Sequence, residues 1–194
     1  ALLHGIACNA AGSSHHARRA QDAGFCTFND VAVASLTLLA EGAVRMVLVV
    51  DLDVHQGDGT ADILAGDPRV FTFSMHGDRN YPVRKIASDL DIALPDGTGD
   101  AAYLDRLEDI LPRLGEGGPW DIVFYNAGVD PHRDDRLGRL AMSDDGAGDS
   151  MVVEAVRSRD LPLAGVIGGG YGSDVEAVAR RHLSLFRAAA GYAA

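Results

Sequence analysis

Lysine is almost missing from this chain. Lys85 is the sole lysine, and every other basic side chain apart from histidine is an arginine. With 17 basic residues against 28 acidic ones, the formal net charge is −11. That balance argues against nucleic acid as the main partner, because phosphate neutralisation needs clustered Lys and Arg, so no direct nucleic-acid partner is expected. An acidic surface serves solubility first, and it also suits basic substrates such as amines and lysine-rich peptides. Cysteine is scarce too. Cys8 and Cys26 cannot build a disulfide framework, which points to a reducing, cytoplasmic setting. Long apolar runs are lacking. The longest candidate, Val31 to Ala40, is interrupted by Ser35 and Thr37 and falls far short of the ~18 residues of a membrane span, so no membrane partner is expected. No charged, apolar leader pattern opens the sequence. It opens on Ala1 rather than Met, in sequence that already looks ordered, so the N-terminal part of a longer domain is expected to lie outside it.

What is present is an ordinary globular composition. The 194 residues are 47% hydrophobic and mean hydropathy is near zero, which excludes a disordered tail. One domain of this size buries roughly 70% of its unfolded surface. There is no internal repeat and no low-complexity segment. Four short apolar runs stand out: Met46 to Val50, Val70 to Met75, Ile122 to Tyr125 and Leu163 to Ile167. They show no clean polar alternation, which predicts strands buried on both faces, hence a parallel sheet with covering helices. Helices are predicted between them. One runs from an Asn29/Asp30 cap to about Ala40, where Gly42 ends it, and one from an Asp100 cap to about Leu114. One spans Ser143 to Arg159, with acidic residues in its first turn. One follows the capping-box spacing Ser173-Asp-Val-Glu176 and runs to about Ala190. The alternation predicts an α/β domain of three layers. His76 to Gly99 is expected to be a long functional loop.

The polar residues of interest follow the apolar runs, where ligands of open α/β sheets bind. Asp51, Asp53 and His55 have period-2 spacing, so continued strand geometry would turn all three the same way. Carboxylates at that spacing repel unless a cation or hydrogen bonds intervene. Asp53, His55 and Asp130 together offer two oxygens and one imidazole nitrogen. Three protein ligands and an open position make the pattern of a catalytic zinc site, although Fe(II), Mn and Co suit the same donors. The tandem His15-His16 is either a pair of surface histidines or a general base and acid beside such a metal. In the second case Asp51 and Asp58 are natural partners, each fixing an imidazole tautomer. Gly168-Gly-Gly170-Tyr171 is either a tight turn with a buried aromatic or a phenol brought to a substrate carbonyl as oxyanion donor. The run lacks the Gly-Lys-Ser/Thr ending of a phosphate loop.

Taken together, six stretches resemble the zinc-dependent histone deacetylase family, which takes in bacterial acetoin-utilisation-type and acetylpolyamine deacetylases. They are Ser14-His-His-Ala17, Gly24-Phe-Cys-Thr-Phe-Asn-Asp30, Val50-Asp-Leu-Asp-Val-His-Gln-Gly-Asp-Gly59, Ser74-Met-His76, Asn126-Ala-Gly-Val-Asp130 with Asp135-Arg-Leu-Gly138, and Gly168-Gly-Gly-Tyr171. They occur in the family's order across nearly the whole chain and resemble its bacterial or class IV-like branch. The resemblance implies an arginase/deacetylase-like α/β fold over 1–194, lacking its N-terminal part. It implies zinc on Asp53, His55 and Asp130, His15 and His16 as the acid/base pair, and Tyr171 as oxyanion donor. It implies a substrate channel involving Gly24, Phe25, Tyr81 and Gly169, with the Gly24 carbonyl holding the substrate amide. It also implies a potassium or sodium site at Asp51, Asp53, His55, Ser74 and Met75.

One departure is Gly12-Ser13-Ser14, where the family has paired glycines, and it predicts a slightly shifted histidine loop. The activity implied is removal of acetyl or other acyl groups from acetyl-lysine or acetylated amines, by water activated at zinc. A ureohydrolase-like or other acylamine metal hydrolase is one alternative. A catalytically silent module that binds acetylated ligands is another. Oligomeric state is left open.

Overall fold

The computed structural model describes residues 1–146 and 148–192. Six strands form one sheet: β1 Ile6–Asn9, β2 Val47–Asp51, β3 Val70–Gly77, β4 Leu90–Leu94, β5 Ile122–Ala127 and β6 Leu163–Ile167. Five helices accompany them: α1 Asp30–Ala40, α2 Asp58–Leu64, α3 Asp100–Glu116, α4 Asp149–Arg157 and α5 Val175–Ala190. The strand order is β1-β6-β5-β2-β3-β4, and every pairing is parallel.

The unbroken apolar runs have the meaning that their composition predicts. Along β2, Leu48 and Val50 join one core and Val47 and Val49 the other. Tyr103 and Leu107 of α3, Val152 and Val153 of α4 and Leu185 of α5 pack on the first face. Val31 and Leu39 of α1 and Leu64 of α2 pack on the second. Three layers result, because a strand apolar on both faces needs helices on both. No described helix is long and apolar enough to cross a membrane.

The order of the strands decides where a ligand can sit. From β2 the chain moves outward through β3 to β4. From β5 it moves the opposite way to β6. Loops leaving the carboxyl ends of β2 and β5 therefore diverge, and a crevice opens between them. Asp51–Asn126 is the last register pair of these two strands.

Helix starts agree with the sequence in part. The Asn29 side chain accepts from Ala32 N, as expected, whereas α5 is capped by Asp174, through Ala177 N, and not by Ser173. Asp100 is the first residue of α3 rather than its cap. Its carboxylate is taken by the backbone N–H and hydroxyl of Ser143. The helix expected over Ser143 to Arg159 is two pieces, a 3₁₀ turn at Asp144–Gly146 and then α4. The Asp100 contact holds the first piece in place, and glycines at 146 and 148 propagate a helix poorly. The predicted loop from His76 to Gly99 contains β4, whose residues are mostly half-buried at a sheet edge. The sequence reading also missed β1, of four residues, and α2, of seven, which has no side-chain cap.

Asn29 links this frame to the histidine segment. Beyond capping α1, its amide donates to Thr60 Oγ1 at 3.0 Å and to Ala17 O at 3.3 Å. Asn29→Ala removes the cap and strands two buried acceptors, and should cost about 1–3 kcal/mol in a urea unfolding titration.

Candidate metal centre

The strand β2 ends at Asp51, so regular strand geometry does not carry Asp53 and His55 to the site as the spacing predicted. Two carboxylates bend the backbone instead. Asp51 Oδ1 accepts from Asp53 N at 3.1 Å, and Asp53 Oδ1 accepts from His55 N at 3.0 Å. The alternation survives because Leu52 and Val54 plunge into the core, which leaves Asp51, Asp53 and His55 on the opposite side.

Asp130 arrives from the end of β5 and is completely buried. Its Oδ1 accepts from Val54 N at 2.8 Å, and its Oδ2 lies 3.0 Å from His55 Nδ1. Asp53 Oδ1 lies at the same distance from that nitrogen. One ligand atom from each of Asp53, His55 and Asp130 falls within 4.8 Å of the others. The loop after β6 closes the back of the cluster, where Gly169 N donates to Asp53 Oδ2 at 2.6 Å. A Cβ at Gly168 would stand 2.8 Å from that same oxygen, so only glycine lets this loop approach.

Two buried carboxylates against one imidazole are electrostatically incomplete. Burial presses the His55 imidazolium toward neutrality, but Asp130 and Asp53 reverse this and lift its pKa to about 10. Burial, and then the neighbouring Asp53 charge, push the Asp130 carboxyl up to about 8, with His55 opposing. Burial also works against the Asp53 carboxylate, yet His15 and His55 hold it ionised, below the usual range. In the protein alone a retained proton does the work of a cation. A divalent ion on the same three atoms would supply more positive charge to both oxygens at once, so the donor set fits a metal.

His15 and His16 lie in an irregular turn with ring centroids 4.1 Å apart. His15 Nδ1 is 2.8 Å from Asp51 Oδ2, and Asp51 Oδ1 also accepts from Asn126 Nδ2 at 2.9 Å. Burial would lower the His15 pKa, but Asp51 and Asp53 raise it to about 9. His16 Nδ1 is 2.6 Å from Asp58 Oδ1, and Arg18 clamps the other oxygen of Asp58. Burial lowers the His16 pKa, and the neighbouring His15 adds to this against the pull of Asp58.

A cavity of about 430 Å³ opens in front of these groups. His16, His55 and Tyr171 line it, together with Gly24, Phe25 and Tyr81. Tyr81 stands edge-on to His16, with centroids 4.8 Å apart, and Tyr171 stands edge-on to His55 at 5.9 Å. Gly24 has φ +51° with its backbone against the His16 ring, where a Cβ would collide. Its carbonyl accepts from Cys26 Sγ at 3.2 Å. Phe25, with φ +66°, is 90% exposed at the mouth. Gly169 is not among the lining residues. It stands behind Asp53 and Asp130, because the close packing of that loop turns its N–H to a carboxylate rather than to the channel. Ser74 and Met75 are buried on β3, and Ser74 pairs with Asp51 in register. A second cavity, of about 460 Å³, lies between α5 and the 128–132 loop and touches neither the three-residue cluster nor the histidine pair.

Sequence reasoning overlooked several supporting residues. Arg18 and Asn126 secure the two aspartates that hold the histidines. Asp135 accepts from Tyr171 N at 2.6 Å and from Leu137 N and Gly138 N at 2.8 Å, which anchors the tyrosine loop. The available signal for Asn126 and Asp135 was membership of the quoted stretches, and Arg18, just beyond Ala17, had none.

The histone deacetylase domain family matches residues 2–188. An uncharacterized protein of Picosynechococcus is 48% identical over 97% of this chain and 64% of its own length. Histone deacetylase 2 of Arabidopsis thaliana is 32% identical over 88% of this chain and 46% of its own. Among solved structures, acetylpolyamine aminohydrolase from Burkholderia pseudomallei superposes with a TM-score of 0.79 at 27% identity, over 95% of this chain and 56% of that one. The chain thus spans about half to two thirds of the length of these relatives. The parallel sheet and its helical layers accord with a match that runs almost end to end, and this chain belongs to the histone deacetylase family.

Proposed function

We propose that residues 1–194 form part of one catalytic domain of a zinc-dependent amidohydrolase, which removes acetyl or other acyl groups from acetyl-lysine or an acetylated amine. The observation that carries this reading is the buried Asp53–His55–Asp130 set beside His16 and Tyr171, at the base of an aromatic-walled cavity. Zinc, when bound there, supplies Lewis-acid polarisation of the acyl oxygen and acidifies water.

The chain's own residues account for the remaining steps. His16 is neutral at pH 7, and its Nδ1 is committed to Asp58, so Nε2 is the atom that takes a proton from the attacking water. The same imidazolium then returns that proton to the leaving amine. Arg18 holds Asp58, and Asp58 holds the tautomer. His15, its pKa raised by Asp51, contributes positive charge against the His16 ring, 4.1 Å away. Burial, and then Asp53, push the Tyr171 phenol up, so its hydroxyl stays protonated and donates a hydrogen bond to that oxyanion. Phe25 and Tyr81 flank the substrate's methylene stem. A potassium or sodium ion is assigned to Asp51, Asp53, His55, Ser74 and Met75. The setting assigned is a reducing, cytoplasmic one, in keeping with the free Cys8 and Cys26.

A two-metal ureohydrolase would need a second group of carboxylates, and among the described residues a single candidate group is found. Metal analysis should return one zinc per chain. Zinc at 100-fold its dissociation constant should stabilise the protein by about 2.7 kcal/mol, and Asp130→Asn should abolish both effects. Tyr171→Phe should lower kcat by roughly 10²–10³ with zinc content unchanged; near-normal turnover would remove the tyrosine from the mechanism. The His16 pKa is lowered from 6.5, so kcat/KM should hold near pH 7 and fall only on the acid side of 6.5. Asp58 raises that pKa, and Asp58→Asn should therefore move the acid limb to lower pH.

A further inference from the structure

The chain as a whole is strongly acidic, but the mouth of its cavity is not. Among the described residues no carboxylate lines it, whereas Arg79 and Arg139 do. Both guanidiniums are largely exposed, and both reach the same acceptor, Asp96 Oδ2, each at 3.4 Å. Asp96 is the one carboxylate in ion-pair range of either guanidinium among the described residues. A single carboxylate cannot neutralise two guanidiniums, and neither contact has the short bidentate form of a strong pair. The mouth therefore keeps roughly one uncompensated positive charge.

The mounting of these side chains is firm. Asn80 Oδ1 accepts from Arg139 N at 3.2 Å, and Asn80 Nδ2 donates to Leu137 O at 2.8 Å. Gly97 N donates to Arg139 O at 2.7 Å. Lys85 is occupied elsewhere, since its ammonium donates to the Asn80 and Pro82 carbonyls at 2.7 Å each. The backbone that carries the arginines is thus pinned from several sides, and the guanidiniums stand at the solvent end of the cavity. The acyl chemistry belongs at the opposite end, against His16, His55 and Tyr171. Whatever meets the arginines is the part of the substrate beyond the leaving nitrogen.

We propose that the substrate carries a carboxylate on the amine side of the scissile bond, and that Arg79 and Arg139 bind it. The proposal rests on the hydrolase reading above and narrows its substrate class. An acylated diamine or polyamine would bring a cation to this mouth and be disfavoured. The carboxylate has two possible sources, the α-carboxylate of a small acylated amino acid and an acidic side chain flanking acyl-lysine in a peptide.

The zinc-loaded full-length protein tests this with three small substrates: Nα-capped Nε-acetyl-lysine as the free acid, its methyl amide, and N-acetylcadaverine. A second arm uses acetyl-lysine peptides flanked by Glu or by Gln. The acid should exceed the amide by about threefold to tenfold in kcat/KM, carried by KM and weakened by salt, and the diamine should be poorest. In the Arg79→Gln/Arg139→Gln double variant the acid-to-amide ratio should fall to about one. Preference in the first arm identifies a small acid, and preference in the second an acidic peptide; either supports the proposal. Equal turnover of acid, amide and diamine together with equal turnover of the Glu and Gln peptides, or a preference that survives the double variant, would overturn it. If no acylated amine is hydrolysed, the hydrolase reading fails by itself. The mouth is then judged by calorimetric titration with the acid and the amide, where equal affinity would overturn the arginine assignment.

Discussion

Two carboxylates and one imidazole are held together, almost wholly buried, where β2 and β5 release the chain. Such a group is costly to bury, because each carboxylate loses its hydration and repels the other. Much of the local architecture offsets that cost. Val54 N, His55 N and Gly169 N all donate to Asp53 or Asp130, and glycines at 168 and 169 let a third loop come close enough to help. Against burial, Asp130 and Asp53 raise the His55 pKa, and burial with the Asp53 charge raises that of Asp130, the direction expected where two carboxylates share one imidazole. Every carboxylate oxygen of the cluster thus has a hydrogen-bond donor, while one imidazole faces two carboxylates, the donor set of a candidate metal site.

The histidine pair is tuned by the same kind of imbalance. Two adjacent imidazoles with rings in contact receive opposite treatment from their partners. His15 faces Asp51, with Asp53 close by, and is driven toward the cation. His16 faces an aspartate already engaged by Arg18 and remains neutral. Burial and the neighbouring His15 outweigh Asp58 at His16, whereas Asp51 and Asp53 outweigh burial at His15, and neighbouring groups with divergent proton affinities are what acid–base chemistry requires.

The legible parts of the sequence were those with local causes. The four apolar runs became β2, β3, β5 and β6, since a strand that is apolar on both faces carries its own signature. Asp51-Leu-Asp53-Val-His55 could be read because Leu52 and Val54 must go inward, although aspartate–backbone bonds rather than a continuing strand hold the pattern. The edge strand β4 escaped notice because its half-buried residues lack a strong pattern, and α2 because seven residues without a cap barely signal a helix. The family resemblance implied a channel place for Gly169, but its N–H turns to Asp53 and it packs against the carboxylates. Arg18 and Asn126 were invisible as partners because 40 and 75 residues separate them from the aspartates they hold.

The sequence by itself determined the donor types, the alternation that keeps Asp51, Asp53 and His55 out of the core, and the tandem histidines. Each follows from side-chain chemistry and short-range spacing. Only the tertiary structure decided that β5 lies beside β2, which brings Asp130 within hydrogen-bonding distance of His55. It alone brought Arg79 and Arg139 to one mouth around one carboxylate. Which strands become neighbours, and which loops share a crevice, depends on packing whole faces together, and no local stretch of chain contains that information.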